Sequence, residues 1–172
     1  CVEHELSDGG YASRRTATED GLKIIDKPSW RNVTREDVET AKERMGDIVY
    51  RRSRHVVGEI QRTADAAEAL EHSDFDALGN LMYASHASLR DDFEVSCKEL
   101  DIMVEIAQSL GKKAGVIGSR MTGGGFGGST VTLCESIHAE TIIEALTKQY
   151  TTRTGITPEI FTSRPSSGAR IL

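Results

Sequence analysis

The sequence predicts an α+β fold in which a helical layer packs on a small, mainly antiparallel sheet. Helical periodicity runs through residues 34–110, two-residue alternation brackets a glycine-rich segment at 118–129, and one more helical pattern follows. The 172 residues allow one domain of ordinary size, or a domain with part of a neighbour. With 38% hydrophobic and 28% charged residues, and no apolar run near the roughly 20 residues that span a bilayer, the composition excludes a disordered chain and a membrane-spanning one.

The elements follow in order. Val2, His4 and Leu6 alternate against Cys1, Glu3 and Glu5 as in a strand already under way, so the chain reads as a piece cut from a longer one rather than a tethered lipoprotein. Tyr11 to Ile25 is compatible with a helix, which Pro28-Ser29-Trp30 ends. Thr34 is the expected N-cap of the next helix, with Glu36 and Asp37 in its first turn and Gly46 as its stop. From Asp47 to Glu71 the residues Val49, Val56, Ile60, Thr63, Ala67 and Leu70 predict the buried stripe of a long amphipathic helix. Ser73 is expected to cap its antiparallel partner, which buries Phe75, Leu78, Met82, Ser85 and Leu89. Ser96 and Glu99 predict a capping box ahead of a helix burying Leu100, Met103, Val104 and Ala107 up to Gly111. Strands are expected at Ala114–Gly118 and Ser129–Glu135, then a helix through Ile142, Ile143 and Leu146, then a terminal strand around Ile160-Phe161-Thr162.

The charged and metal-binding residue types point to few functions. A net charge of −6 with aromatics at 5% argues against nucleic acid and anionic membranes as partners. Arg51, Arg52 and Arg54 read as a solvated helix face. Cys1, Cys97 and Cys134 are odd in number and lack CxxC spacing, which fits a reducing cytosol and neither a disulfide framework nor a zinc site. His4, His55, His72, His86 and His138 follow no ligand pattern and read as capping, surface or packed residues. Asp91 and Asp92 are expected to order a connecting loop rather than hold a metal, with Arg90 as their ion-pair partner.

Chemistry concentrates between the two late strands. Gly123, Gly124, Gly125, Gly127 and Gly128 fall within six residues, where a plain turn needs one or two glycines. Bare backbone of this kind can form a nest of N–H donors suited to phosphate oxygens or to a second glycine loop. The same glycines satisfy GxGxxG, but the following Ser-Thr-Val-Thr-Leu is a strand and not the helix a dinucleotide fold requires, and no Lys-Ser or Lys-Thr follows as in a Walker loop.

Gly118 to Leu133, GSRMTGGGFGGSTVTL, closely resembles the third motif of the galactose, homoserine, mevalonate and phosphomevalonate kinase superfamily, in the wording of galactokinases. The stretch from Ser85 to Cys97, the His55-Val56-Val57-Gly58-Glu59 segment and the opening Val2 to Arg15 are similar to that family too, so the resemblance covers essentially the whole chain as a galactokinase C-terminal part. It implies a ferredoxin-like C-terminal domain at 27–172, preceded at 1–26 by the tail of an N-terminal domain and a crossover. The implied activity is ATP-dependent phosphorylation of galactose at the 1-hydroxyl in a cytoplasmic protein, with ATP and Mg²⁺ bound mainly by an N-terminal half. No catalytic or metal-binding residue of the family falls in this chain, which is expected to be inactive alone. The resemblance gives Tyr11 a sugar contact, although Ala12 stands where the family usually has proline or asparagine, and it gives Met121, Thr122, Gly123, Gly124, Gly125, Gly127 and Gly128 the active-site loop. The full-length protein is expected to be monomeric and the fragment to self-associate. A galactose sensor acting on transcription and an N-acetylgalactosamine kinase are the alternatives, because the residues that separate them lie outside this chain.

Overall fold

The computed structural model of the chain describes residues 2–3 and 9–168. Its elements are β1 (Val2–Glu3), α1 (Gly10–Ile25), α2 (Arg35–Glu71), α3 (Phe75–Asp91), α4 (Lys98–Leu110), β2 (Val116–Thr122), β3 (Gly127–Cys134) and α5 (Ala139–Thr154). The strands pair antiparallel in the order β1-β3-β2, giving the α+β architecture expected. The rest of the expected opening strand, Cys1 and His4 to Leu6, lies outside the described residues. Among the described residues no helix is long and apolar enough to cross a membrane.

Thr34 starts α2 as expected. Its hydroxyl accepts the Asp37 N–H at 3.1 Å while the Asp37 carboxylate accepts the Thr34 N–H at 2.9 Å, a reciprocal cap that satisfies two backbone donors. Gly46 breaks the helix with φ 68° and ψ 166°, a conformation open essentially to glycine, and the helix resumes at once. The stripe expected after it is not the buried face. Ile60 and Leu70 are 41% and 55% exposed, whereas Arg52, Ser53, His55 and Val57 are buried. Periodicity located an apolar stripe, but the partner surface across α2 is polar and selects a different face.

Two caps also shift. Asp74, not Ser73, caps α3 by accepting the Ala77 N–H at 2.9 Å, and Ser73 takes up a left-handed turn at φ 54°. A carboxylate at this position both accepts the N–H and complements the helix dipole. Helix α4 begins one residue later than expected, with Cys97 at its N-cap, because the Ser96 hydroxyl is committed to Asp101 at 2.5 Å. Phe75 is 47% exposed, so the buried face of α3 starts at Leu78 and Gly79. A Cβ on Gly79 would sit 2.0 Å from the Ile117 carbonyl oxygen, and one on Gly118 would sit 2.8 Å from the Gly79 Cα. This glycine pair sets how closely α3 lies on β2.

The apolar core joins α4, β2 and α5 through Ile102, Ile106, Ala107, Val116, Ile142 and Leu146. A second cluster fastens α1 to the first half of α2 through Val38, Ala41 and Met45 with Leu22 and Ile25. The expected strand at 160–162 is absent. Phe161 is 87% exposed and the segment has no ladder partner among the described residues, while Pro158 and Pro165 on its flanks offer no N–H to one.

Candidate functional site

The glycine run is the connection of the β2–β3 hairpin, closed by the Thr122–Ser129 pair, and β1 pairs with Gly127 and Gly128 on the outer side of β3. Packing governs the run unevenly. A Cβ on Gly125 would lie 2.5 Å from the Val95 Cβ and 2.8 Å from its carbonyl oxygen, so that position must be bare. Among the described residues, a Cβ at Gly123 or Gly124 would meet nothing within 4 Å. Gly123 has φ 92°, which still favours glycine, but Gly124 has neither a positive φ nor a close neighbour. The tip of the hairpin is therefore bare backbone that no described residue covers.

Phe126, the one side chain inside the run, anchors it. Its N–H donates to the Val95 carbonyl at 2.7 Å, and its ring occupies the space that a Cβ on Gly10 would need, 2.9 Å away. The hairpin tip and the first turn of α1, which carries Tyr11, are thus in contact through Gly10. Tyr11 itself is 70% exposed. Met121 and Thr122 belong to β2 rather than to the loop. The Met121 side chain is buried with Val95 and Leu100, and Thr122 is exposed at the strand end.

Val95 is held in turn by an ionic clamp. Arg52, 3% exposed, donates to the Asp92 carbonyl and the Glu94 carboxylate, Arg51 pairs with Glu94 at 2.5 Å, and Arg54 pairs with Asp92. The three arginines expected to form a solvated face instead tie α2 to the segment 91–94, because the fold brings carboxylates and carbonyls against them. Hydrogen bonds from Arg52 and then Arg51 pull the Glu94 carboxyl down to about 2. Asp92 also accepts from the Ser88 hydroxyl at 3.1 Å, and Ser88 lies 2.9 Å from Nδ1 of His55, which stacks on Phe93. Burial pushes His55 down to about 4, so it is neutral at pH 7. Arg90 pairs with Asp91 at 2.7 Å as expected, but Asp91 is the last residue of α3 rather than part of a loop, and the ion-pair partner of Asp92 is Arg54.

His86 supports the hairpin from beneath. Its Nδ1 accepts the Met121 N–H at 3.2 Å, which leaves the proton on Nε2, 3.3 Å from Asp101. Burial is the main cause of its lowered pKa. Among the described residues no group of three or more His, Cys, Asp or Glu could hold a metal ion. A groove of about 340 Å³ between α2 and α3, lined by Glu59, Arg62, Ser85 and Arg120, does not reach the hairpin tip. Its charges are mutually engaged. Glu59 accepts from Ser85 at 2.7 Å and Arg62 at 2.5 Å, and these bonds outweigh burial to keep it below its ordinary value.

Sequence reasoning placed the hairpin but not its supports. Val95 carries no signal of its own, whereas Phe126, a lone aromatic among glycines, is the residue that could have been read as an anchor.

Residues 66–152 match the family described as GHMP kinases C terminal, half of the chain. The chain belongs to the GHMP kinase family. Within it the chain is similar to the galactokinases of Bos taurus and Homo sapiens, at 47% and 46% identity over 171 residues, 99% of its own length. The galactokinase of Thermotoga maritima is 41% identical over 155 residues. The chain spans 42% of the length of each of these relatives. Its fold matches Lactococcus lactis galactokinase, solved as a complex with galactose, with a TM-score of 0.83 and 34% identity over 91% of this chain and 41% of that one. The GHMP kinase assignment and this structural likeness agree with the α+β fold read from the sequence.

Proposed function

We propose that the chain is the C-terminal part of a galactokinase and forms one wall of a cleft in which ATP phosphorylates galactose at the 1-hydroxyl. The observation that carries this reading is Gly124, which nothing among the described residues requires to be glycine, at the tip of a hairpin whose bare backbone no described residue covers. A demand for closeness there must come from outside the described residues, and a sugar, a nucleotide or a second glycine loop would supply it. Phosphoryl transfer asks for positioned donors and metal to spread charge over the transferring oxygens, and a glycine hairpin supplies N–H donors but no base. Gly123, Gly124, Gly125, Gly127 and Gly128 shape the phosphate and sugar end of the cleft, and Tyr11 contacts the sugar. Met121 and Thr122 hold the hairpin to the sheet. ATP and Mg²⁺ are bound mainly by the preceding segment, which also provides the catalytic groups. Residues 1–26 end that preceding domain and cross over to 27–172.

The test joins this chain to the segment that precedes the matching region in the relatives and follows ADP release with ATP and galactose, with N-acetylgalactosamine as a competing sugar. Turnover is expected from the joined protein and none from the chain alone. Gly124→Ala is expected to lower kcat/KM about a hundredfold with the melting temperature unchanged, the loss that follows when a backbone donor cannot reach the transferring group. Full activity in the Gly124→Ala protein, or turnover by the chain alone, overturns the reading.

A further inference from the structure

Arg14 joins three parts of the molecule. From α1 its Nε donates to the Phe93 carbonyl at 3.1 Å, its Nη2 to the Glu94 carbonyl at 2.6 Å and its Nη1 to the Ser13 hydroxyl at 3.1 Å. The same guanidinium lies over the Phe126 ring, 5.0 Å from its centre. Phe126 has φ 59°, a left-handed conformation that a bulky residue adopts only when its surroundings hold it there. The surroundings are the Val95 carbonyl on its N–H, Gly10 against its ring edge and Arg14 above its face. Arg15, the next residue, faces elsewhere and pairs with Glu19 on its own helix at 2.8 Å.

We propose that Arg14 is a positioning residue for the glycine hairpin: by gripping the Phe93 and Glu94 carbonyls and covering Phe126 with one rigid fork, it sets the hairpin tip relative to the turn of α1 that carries Tyr11. A planar guanidinium can do both at once. Lysine keeps the charge over the ring but has no fork to span two carbonyls. The mechanical part of this inference stands on the contacts alone. Its consequence for catalysis rests on the galactokinase reading.

The test measures amide exchange in the 172-residue chain by NMR. Arg14→Ala is expected to speed exchange of the Phe126 amide about tenfold or more, Arg14→Lys by an intermediate factor and Arg15→Ala by less than about twofold, with the Leu146 amide in the core unchanged throughout. If Arg14→Ala weakens the whole fold, Arg14→Lys decides by a double-mutant cycle with Phe126→Leu, read at the Gly125 amide, where the two effects are expected to be non-additive by about fivefold or more. An unchanged Phe126 amide in both Arg14 variants, or an additive cycle, overturns the proposal. In the joined protein Arg14→Lys is expected to lower kcat about tenfold with KM for ATP unchanged, the pattern of an interaction realised in the transition state. Absence of turnover in the joined wild type, alongside the expected exchange pattern, counts against the galactokinase reading and leaves the positioning role standing.

Discussion

Around α4, α5 and β2 the buried positions are Ile102, Ile106, Ala107, Val116, Ile142 and Leu146, whereas between α2, α3 and the 91–95 segment they include Arg52, His55, Ser88 and Asp92. The first region gains stability in proportion to apolar area removed from water, and neighbouring side chains can partly fill what a substitution removes. The second depends on each polar group finding its partner, so loss of one member strands the others. The difference teaches why the glycine hairpin is joined to the second region. Apolar packing is non-directional, while a guanidinium fork holds its acceptors by directional hydrogen bonds.

That contrast can be broken at several points. The largest effect is expected at Ile106, 1% exposed, where Ile106→Ala costs about 4 kcal/mol and Ile106→Val about 1 kcal/mol, a graded series readable by urea denaturation. Equal costs for the two substitutions would show that the core does not behave as an apolar one. Arg52→Ala is expected to cost about 2.5 kcal/mol, less than for a fully buried pair because Glu94 remains 45% exposed. Arg52→Lys should recover less than half of that loss, because an ammonium cannot reach the Asp92 carbonyl and the Glu94 carboxylate together.

Acid should loosen the polar region in two windows. His55 has its pKa lowered to about 4 from 6.5, so the unfolded chain takes up a proton that the folded one refuses, and stability falls as pH drops from 6.5 toward 4. Glu94, lowered to about 2 from 4.5, adds a further loss as pH drops from 4.5 toward 2. The melting temperature is therefore expected to decline from near pH 6.5, and His55→Gln should shrink the loss between pH 6.5 and 4.5 without abolishing it, because His86, also lowered by burial, takes part in the same window. A His55→Gln protein that loses as much stability over that window as the wild type would show that His55 does not contribute to it. The smallest effect is expected at Phe161, 87% exposed, where Phe161→Ser changes stability by about 0.5 kcal/mol or less. A larger loss would mean that the segment pairs after all.

The helices, their order, the Thr34 cap, the Gly46 break and the β2–β3 hairpin were legible because each leaves a local mark in residue type or spacing. The α2 stripe and the strand at 160–162 misled for one reason. Alternation and periodicity record where apolar residues recur, not whether a partner surface is present to cover them. Of the candidate site, the glycines were legible, whereas Val95 and Arg14 were not.

By itself the sequence determined the helices, the α+β class and a glycine-rich hairpin with the wording of a kinase family, all of which depend on residues near one another along the chain. Only the tertiary structure decided that Arg52 is buried against Glu94, 42 residues away, and that Arg14 grips Glu94 from 80 residues away. An isolated arginine reads as solvated, since burying a charge is unfavourable until a partner is supplied. That partner is named by the fold.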